Sequence, residues 1–429
     1  MRHKGIVAIV GHIESSANGR LLSQTTGSRL SRRSAPFATL VNLGGDIVNS
    51  KLGLTGVSVL IVLATLAACG GGGSGDGSSA PNGGAAGGAG AAPQSANVAG
   101  FAYVANFGGN SVSAYTIDAT TGALTSVGAD VAAGSSPISV SITPSGKFAY
   151  VANYAGNSVS AYTIDATTGA LTSVGAPVAA GGTPTSVSVD PSGRFAYVAN
   201  WADDNVTAYT INATTGALAS LGTVIAGDGP ISVIVDPLGR FAYVAHYWDS
   251  SVWAYAINPT TGVLTSVGTP AATGSIPECV TVDPLGRFAY VANLNDNSVS
   301  AYTIDATTGA LTSVGAAVAA ATRPVAVTVD PSGRFAYVAN FGSGNISAYT
   351  INATTGALLE IAGSPIAAGG GPQSVTVDRS GKFAYVTNSI SNDVSVYTIN
   401  AVTGALISIG AALAVGTRPY SVTTIGTIR

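Results

Sequence analysis

"SVTVDRSGKFAYVTN" at 374–388 contains two apolar runs on either side of Asp378-Arg379-Ser380-Gly381. Each run alternates Val, Thr, Phe or Tyr with small or polar residues, the pattern of a β-strand. The intervening turn is spelled D-P-S-G or D-P-L-G in most other copies. Pro and Ser favour a type I turn there, and Gly supplies the positive φ that closes a hairpin. Downstream come a variable loop, then "DVSVYTIN" (393–400), then "AVTGAL" (401–406) with a second Gly-bearing turn, then "ALISIGAALAVG" (405–416). The unit therefore reads as four short strands, A to D, joined by hairpins in about 47 residues.

The second strand is written seven times. "FAYVAN" begins at Phe101, Phe148, Phe195, Phe288 and Phe335, "FAYVAH" at Phe241 and "FAYVTN" at Phe383. A four-stranded unit of this length, repeated seven times, indicates an all-β chain and a seven-bladed β-propeller. An open solenoid would need atypical capping repeats at its ends. Here the first copy starts at strand B with only "SANVAG" before it, and the last ends with a lone strand A, "YSVTTIG" (420–426). Strands A, starting near 139, 186, 232, 279, 326, 374 and 421, then number seven. The C-terminal strand is expected to complete the N-terminal blade, closing the ring and covering an exposed edge. The propeller is expected to span 100–429 and to be monomeric.

Tyr385-Val386-Thr387-Asn388 is the tetrapeptide after which the YVTN-repeat propellers are named. Over 100–429 the chain resembles that family and the wider group of lactonase-like seven-bladed propellers, which includes propeller-type 6-phosphogluconolactonases. The resemblance implies the fold and raises lactone hydrolysis as one expected activity. It does not by itself assign one, because function lives in sites grafted onto folds.

Only 9% of residues are charged and 56 are Gly, which suits strands buried on both faces and tight turns. From Cys69 onward ten Lys/Arg face eighteen Asp/Glu. Six of the ten basic residues occupy one recurring turn (Lys147, Arg194, Arg240, Arg287, Arg334 and Lys382). No basic stripe exists, which argues against nucleic acid as a partner. Before the repeats, "LGLTGVSVLIVLATLAA" (52–68) follows Lys51 and abuts a Gly-rich run, as in a signal-peptide core. Leu66-Ala67-Ala68-Cys69 resembles a bacterial lipobox, so residues 48–68 are expected to be a lipoprotein signal peptide and Cys69 the lipid-attachment site. Gly70 after it points to the outer membrane, hence to an exported chain held in the cell envelope by a lipid anchor. Residues 69–99 read as a Gly/Ser/Ala tether of about 30 Å root-mean-square span. Residues 1–47 show no period and read as an over-long start, with Val48 as the alternative initiation point.

The copies differ mainly in two places, the B–C loops and the segments around the start of strand A, which alternating strand direction puts on one face. Variable loops on a rigid scaffold are where binding residues sit. On that face Trp201, Asp203, Asp204, Tyr247, Trp248, Asp249 and Asp296 crowd blades 3 to 5, with Trp253 just inside a strand and Arg418 farther round. Aromatic surfaces beside carboxylates suit a glycan, a peptide or a cationic group. His246 replaces the Asn that ends strand B in the other six copies. Together with Glu278 and Arg323, which begin successive blades, it is the one acid/base set the sequence nominates as catalytic. The plainer reading of His246 is a hydrogen-bonding stand-in for Asn. No dedicated cofactor motif is present. The four aspartates could offer oxygen ligands to Ca²⁺, though without the spacing of a calcium loop. Cys279 reads as a small filler. Three functions remain open: a lipid-anchored binding or scaffold module, favoured by the scarcity of acid/base residues; a lactonase-like hydrolase; and a purely structural surface array.

Overall fold

The computed structural model describes residues 98–426; the signal peptide, Cys69 and most of the tether read from the sequence lie outside the described residues. Seven antiparallel sheets follow the order A-B-C-D. Blade 3, for example, consists of Pro184–Val189, Phe195–Asn200, Asn205–Ile211 and Leu218–Ile225. In five blades strand D is broken into two short pieces, and in blades 3 and 4 it runs unbroken. Strand B of blade 1 starts at Val98, three residues earlier than expected, and pairs with Pro419–Gly426 as that blade's strand A. Strands A of neighbouring blades touch one another in a closed cycle around the axis. Serine hydroxyls stitch that cycle. Ser139 accepts from Val187 N at 3.1 Å and Ser232 from Val280 N at 3.2 Å, and the seam is closed by Ser374 with Val422 N and Ser421 with Val140 N, each at 3.4 Å.

The repeated phrase is a set of inter-blade fasteners. Each strand-B Tyr hydroxyl donates to the C–D turn Gly carbonyl of the next blade at 2.8–3.0 Å, from Tyr103 to Gly169 round to Tyr385 with Gly122. The same glycine has positive φ, and a Cβ there would lie 2.3 Å from the preceding blade's Phe ring, as at Gly122 over Phe383. Gly is therefore required for two reasons, handedness and space. Four of the six recurring basic residues reach across to C–D turn carbonyls, as Arg240 does to Ala306 at 2.7 Å. The turn Asp beneath them accepts two backbone NH bonds, 2.6 Å from Arg240 and 2.8 Å from Phe241 in the case of Asp236. Phe and Tyr of one strand B pack toward the following blade, which puts Phe195, Tyr197 and Ala199 in one cluster with Val233, Val244 and Tyr255.

Strand A begins two residues earlier than the sequence suggested, at the Pro of every copy. A register shift follows each of these prolines, so the next residue is a β-bulge outside the ladder. The seven bulged residues are Ile138, Thr185, Ile231, Glu278, Val325, Gln373 and Tyr420. Bulges re-aim side chains. Here they set one residue per blade off the ladder: Ile138, Thr185 and Ile231 are buried between blades, whereas Glu278, Val325, Gln373 and Tyr420 remain partly exposed.

Candidate functional site

The loop face is braced by its own side chains. The residue before each strand-A Pro is left-handed in all seven blades, with φ between 49° and 68° at Ser136, Thr183, Gly229, Ile276, Arg323, Gly371 and Arg418. Five of these donate their NH to the last B–C loop side chain of the preceding blade, as Arg323 does to Asn297 at 2.8 Å and Arg418 to Asn392 at 2.7 Å. Blade 7 meets the same demand with two glycines, Gly344 and Gly371. Ile276 has neither device: Ser250 stands where the others have Asn or Asp, and a β-branched residue is held at φ 56°. Left-handed backbone costs such a residue roughly 1–2 kcal/mol, against the roughly 0.5–1 kcal/mol that a flexible Gly costs. Ile276→Gly is therefore expected to raise stability by about 0.5–1 kcal/mol, read as a higher urea midpoint at unchanged slope. A lower midpoint would show that the Ile side chain contributes more by packing.

This bracing accounts for the four aspartates. Asp203 accepts from Gly182 N at 2.7 Å, Asp249 from Asp228 N at 2.8 Å and Asp296 from Ser275 N at 2.8 Å, each within one blade. Asp204 accepts from Gly229 N at 3.0 Å across two blades. Each carboxylate serves a separate pair of loops, and among the described residues no three His, Cys, Asp or Glu side chains gather as a metal site would require.

Glu278 and Arg323 do share an environment. Glu278 is the bulged residue of blade 5. Protein packed around the mouth pushes its carboxyl up to about 8, and Arg323 pulls the other way. Its surface is only half-buried, and the bulge takes it out of the ladder with strand B. Its carboxylate makes no hydrogen bond, and no ion pair joins it to Arg323, among the described residues. Arg323 instead lies over the Phe341 ring at 5.0 Å, and Arg418 over Phe107 at 5.0 Å. Burial and then Glu278 raise the Tyr247 hydroxyl, opposed by Arg323; burial and then Glu278 raise Tyr420, opposed by Arg418. Phe107 packs against Tyr420 and Tyr154 at 5.7 and 6.1 Å. The mouth thus collects one carboxyl, two guanidinium groups and three tyrosines from five blades.

His246 lies elsewhere. It ends strand B of blade 4, one strand out from the axis, fully buried under Gly227 and 5.3 Å from the Trp253 ring. In the other blades the equivalent Asn donates to a hydroxyl, amide or carboxylate oxygen five and seven residues on, as Asn293 does to Ser298 and Ser300 and Asn388 to Asp393 and Ser395. In blade 4 the second partner has become Trp253. Neither imidazole nitrogen finds a well-formed partner among the described residues, and the Ser251 hydroxyl is also unpaired. Burial pushes the imidazole down to about 3, weakly opposed by the Ser251 backbone, and neither Glu278 nor Arg323 acts on it. The imidazole is therefore neutral in the fold until pH falls near 3, whereas the unfolded chain protonates it near 6.5. Stability is full above the unfolded value near 6.5 and falls as pH drops toward 3. Relative to His246→Asn, the wild-type chain is expected to lose about 2–3 kcal/mol between pH 7 and pH 4.5, measured by urea denaturation. Parallel pH profiles would mean that the ring finds a partner when charged.

Tyr420, Gln373, Tyr154, Phe107 and Phe341 were not nominated from the sequence. For Tyr420 and Gln373 the available signal was the residue after the invariant Pro, which differs in most copies. Trp201 and Trp248 pack on blade 3–4 loops, 6.4 Å apart. Cys279 is half-buried, its Sγ 3.7 Å from the Val327 carbonyl. On the opposite, uniform face a cleft of about 270 Å³ lies among Pro144, Thr376, Val377, Arg379, Thr424 and Ile425, with Arg379 its one charged group.

Solved structures share this architecture. A protein from Bacteroides fragilis described as a candidate 6-phosphogluconolactonase is 20% identical, over 78% of this chain and 100% of its own, with a TM-score of 0.69. The periplasmic gluconolactonase of Pseudomonas aeruginosa is 20% identical, over 76% and 99%, with a TM-score of 0.67. A protein from Lactobacillus plantarum is 21% identical, over 76% and 99%, with a TM-score of 0.66. At such identities the likeness concerns the fold. No curated protein sequence matches the chain. The family model for the lactonase seven-bladed β-propeller matches residues 78–188, 139–235, 232–328 and 316–423. Seven closed blades and this match from end to end of the ring make the chain a member of the lactonase family of seven-bladed β-propellers.

Proposed function

We propose that this propeller is an exported, lipid-anchored lactone hydrolase whose site is the mouth of the ring on the loop face. The observation that carries the reading is Glu278: a bulged, hydrogen-bond-free carboxyl with its pKa raised to about 8, set among Arg323, Tyr247 and Tyr420 in a chain of this family. A carboxyl that titrates close to neutral pH is a far better general base than an ordinary one. Ionised Glu278 takes a proton from water as the water oxygen attacks the lactone carbonyl. Negative charge then develops on the carbonyl oxygen, where Arg323 and Arg418 are the available cations. The Tyr247 and Tyr420 hydroxyls, held protonated by burial, donate hydrogen bonds. Collapse of the tetrahedral intermediate breaks the ring C–O bond, and protonated Glu278 returns its proton to the leaving alkoxide.

The sequence favoured a binding module, and one observation still speaks for it: His246, the third member of the nominated acid/base set, is buried apart from the mouth. The deciding experiment is turnover of glucono-1,5-lactone by the purified chain, corrected for spontaneous hydrolysis, as a function of pH. Catalysis that climbs with pH and levels off above pH 8 supports the hydrolase; no turnover above background returns the mouth to ligand binding. Export and lipid anchoring rest on residues 48–69, and a periplasmic relative among the similar structures is consistent with them. Globomycin-sensitive processing with lipid label at Cys69 would test the anchor.

A further inference from the structure

Blades 3 and 4 carry three aromatic residues in adjacent loops, Trp201, Tyr247 and Trp248, where the other B–C loops carry at most one each. Trp248 is 50% exposed, an unfavourable placement for the largest apolar side chain. It is nonetheless held in place. Its ring meets Tyr247 edge-on at 4.7 Å and 78°, and Trp201 lies tilted 6.4 Å away. Beneath them is Gly229, where a Cβ would come within 2.8 Å of Trp248 Cδ1 and 2.9 Å of Trp201 Nε1. Only glycine lets both indoles settle on that loop, and the Trp248 backbone NH is tied to the Asp228 carbonyl at 3.3 Å.

The polar atoms around this platform are incompletely used. Trp201 Nε1 is buried without an acceptor among the described residues. Exposed Asp249 spends one oxygen on the Asp228 NH, and the other has no partner among the described residues. Tyr247 belongs to both regions, touching Trp248 while its hydroxyl responds to Glu278 and Arg323. An aromatic surface thus runs from the mouth outward to the rim on this side of the ring. A rigid, half-exposed indole with a neighbouring carboxylate matches a pyranose ring, whose C–H face lies on the indole while its hydroxyls reach the flanking polar atoms.

We propose that the Trp201–Trp248 platform is a pyranose-binding subsite, so that the substrate is an aldonolactone still glycosidically linked to a second sugar. The substrate half of this statement rests on the hydrolase reading of the mouth; the sugar-binding half does not. The test uses the full-length chain in mild detergent, wild type and Trp248→Ala, with cellobiono-1,5-lactone and glucono-1,5-lactone as substrates. Wild type is expected to prefer the disaccharide lactone, and Trp248→Ala to cut the ratio of the two kcat/KM values about 3–10-fold. Equal ratios in the two proteins overturn the proposal. Intrinsic tryptophan fluorescence titrated with cellobionate and with gluconate provides an independent readout. A response to cellobionate that Trp248→Ala abolishes supports the subsite even if neither lactone is hydrolysed, an outcome that would sink only the reading of the mouth. No response to cellobionate in the wild type, with or without turnover, removes the subsite.

Discussion

Glu278→Gln is expected to lower kcat for lactone hydrolysis by about 10²–10⁴-fold, the usual contribution of a positioned general base. The amide keeps the shape and the bulge but cannot accept the proton from water. Because burial raises the Glu278 carboxyl to about 8, wild-type kcat/KM is expected to climb about tenfold per pH unit below pH 8 and to level off above it. The residual rate of the variant should show no such limb. The same substitution is expected to stabilise the fold. A carboxyl whose folded pKa is raised favours folding least when it is ionised in the unfolded chain, so stability falls as pH rises from the unfolded value near 4.5 toward 8. Gln removes that loss. After allowance for the partial exposure of Glu278, the gain at pH 8 should be about 1–3 kcal/mol, and it should vanish near pH 4.5. Urea midpoints of both proteins at the two pH values would check it. A Gln variant that is both active and no more stable would show that Glu278 neither reacts nor is strained at the mouth.

Ending the chain at Arg418 is expected to abolish cooperative folding. The deletion removes strand Pro419–Gly426, which pairs with Phe101–Asn106 along the first blade and stands between strands A of blades 7 and 2. It uncovers Ala102, Tyr103 and Val104, all fully buried, and removes Val422 from its cluster. It also breaks the Ser374–Val422 and Ser421–Val140 links and takes Tyr420 from the mouth. Domains hold only about 5–15 kcal/mol of net stability, and an open strand edge invites pairing with other chains. The truncated chain should aggregate or melt without a sharp transition by circular dichroism, and added "PYSVTTIG" peptide should restore part of the transition. A truncated chain that melts within a few degrees of the full one would show that the ring does not depend on this closure.

Much of this architecture was legible because a repeat records its own geometry. Phe101, Tyr103 and Gly169 recur in step since each blade must offer the same hydroxyl, ring and glycine to the next. The strand-for-strand count at the two ends likewise required the C-terminal strand to return to the first blade. The mouth was less legible. Glu278 and Arg323 stood out as rare residues, whereas Tyr420 and Gln373 did not, because nothing in "PYS" or "PQS" announces a bulge. A bulge is a mismatch between two paired strands, and a single strand's sequence carries no register.

His246 marks the other limit. By itself the sequence determined that this position departs from its six Asn counterparts, and that the chain closes seven blades into a ring. Only the tertiary structure decided that the imidazole sits under Gly227 against Trp253, one strand away from the axis, while residues from blades as separated as 1, 4, 5 and 6 meet at the mouth. The physical reason is that strand alternation and turn chemistry are local and repeat in the sequence. Convergence on an axis instead depends on how seven bulged strands are wound around it, and that relation exists only in the closed ring.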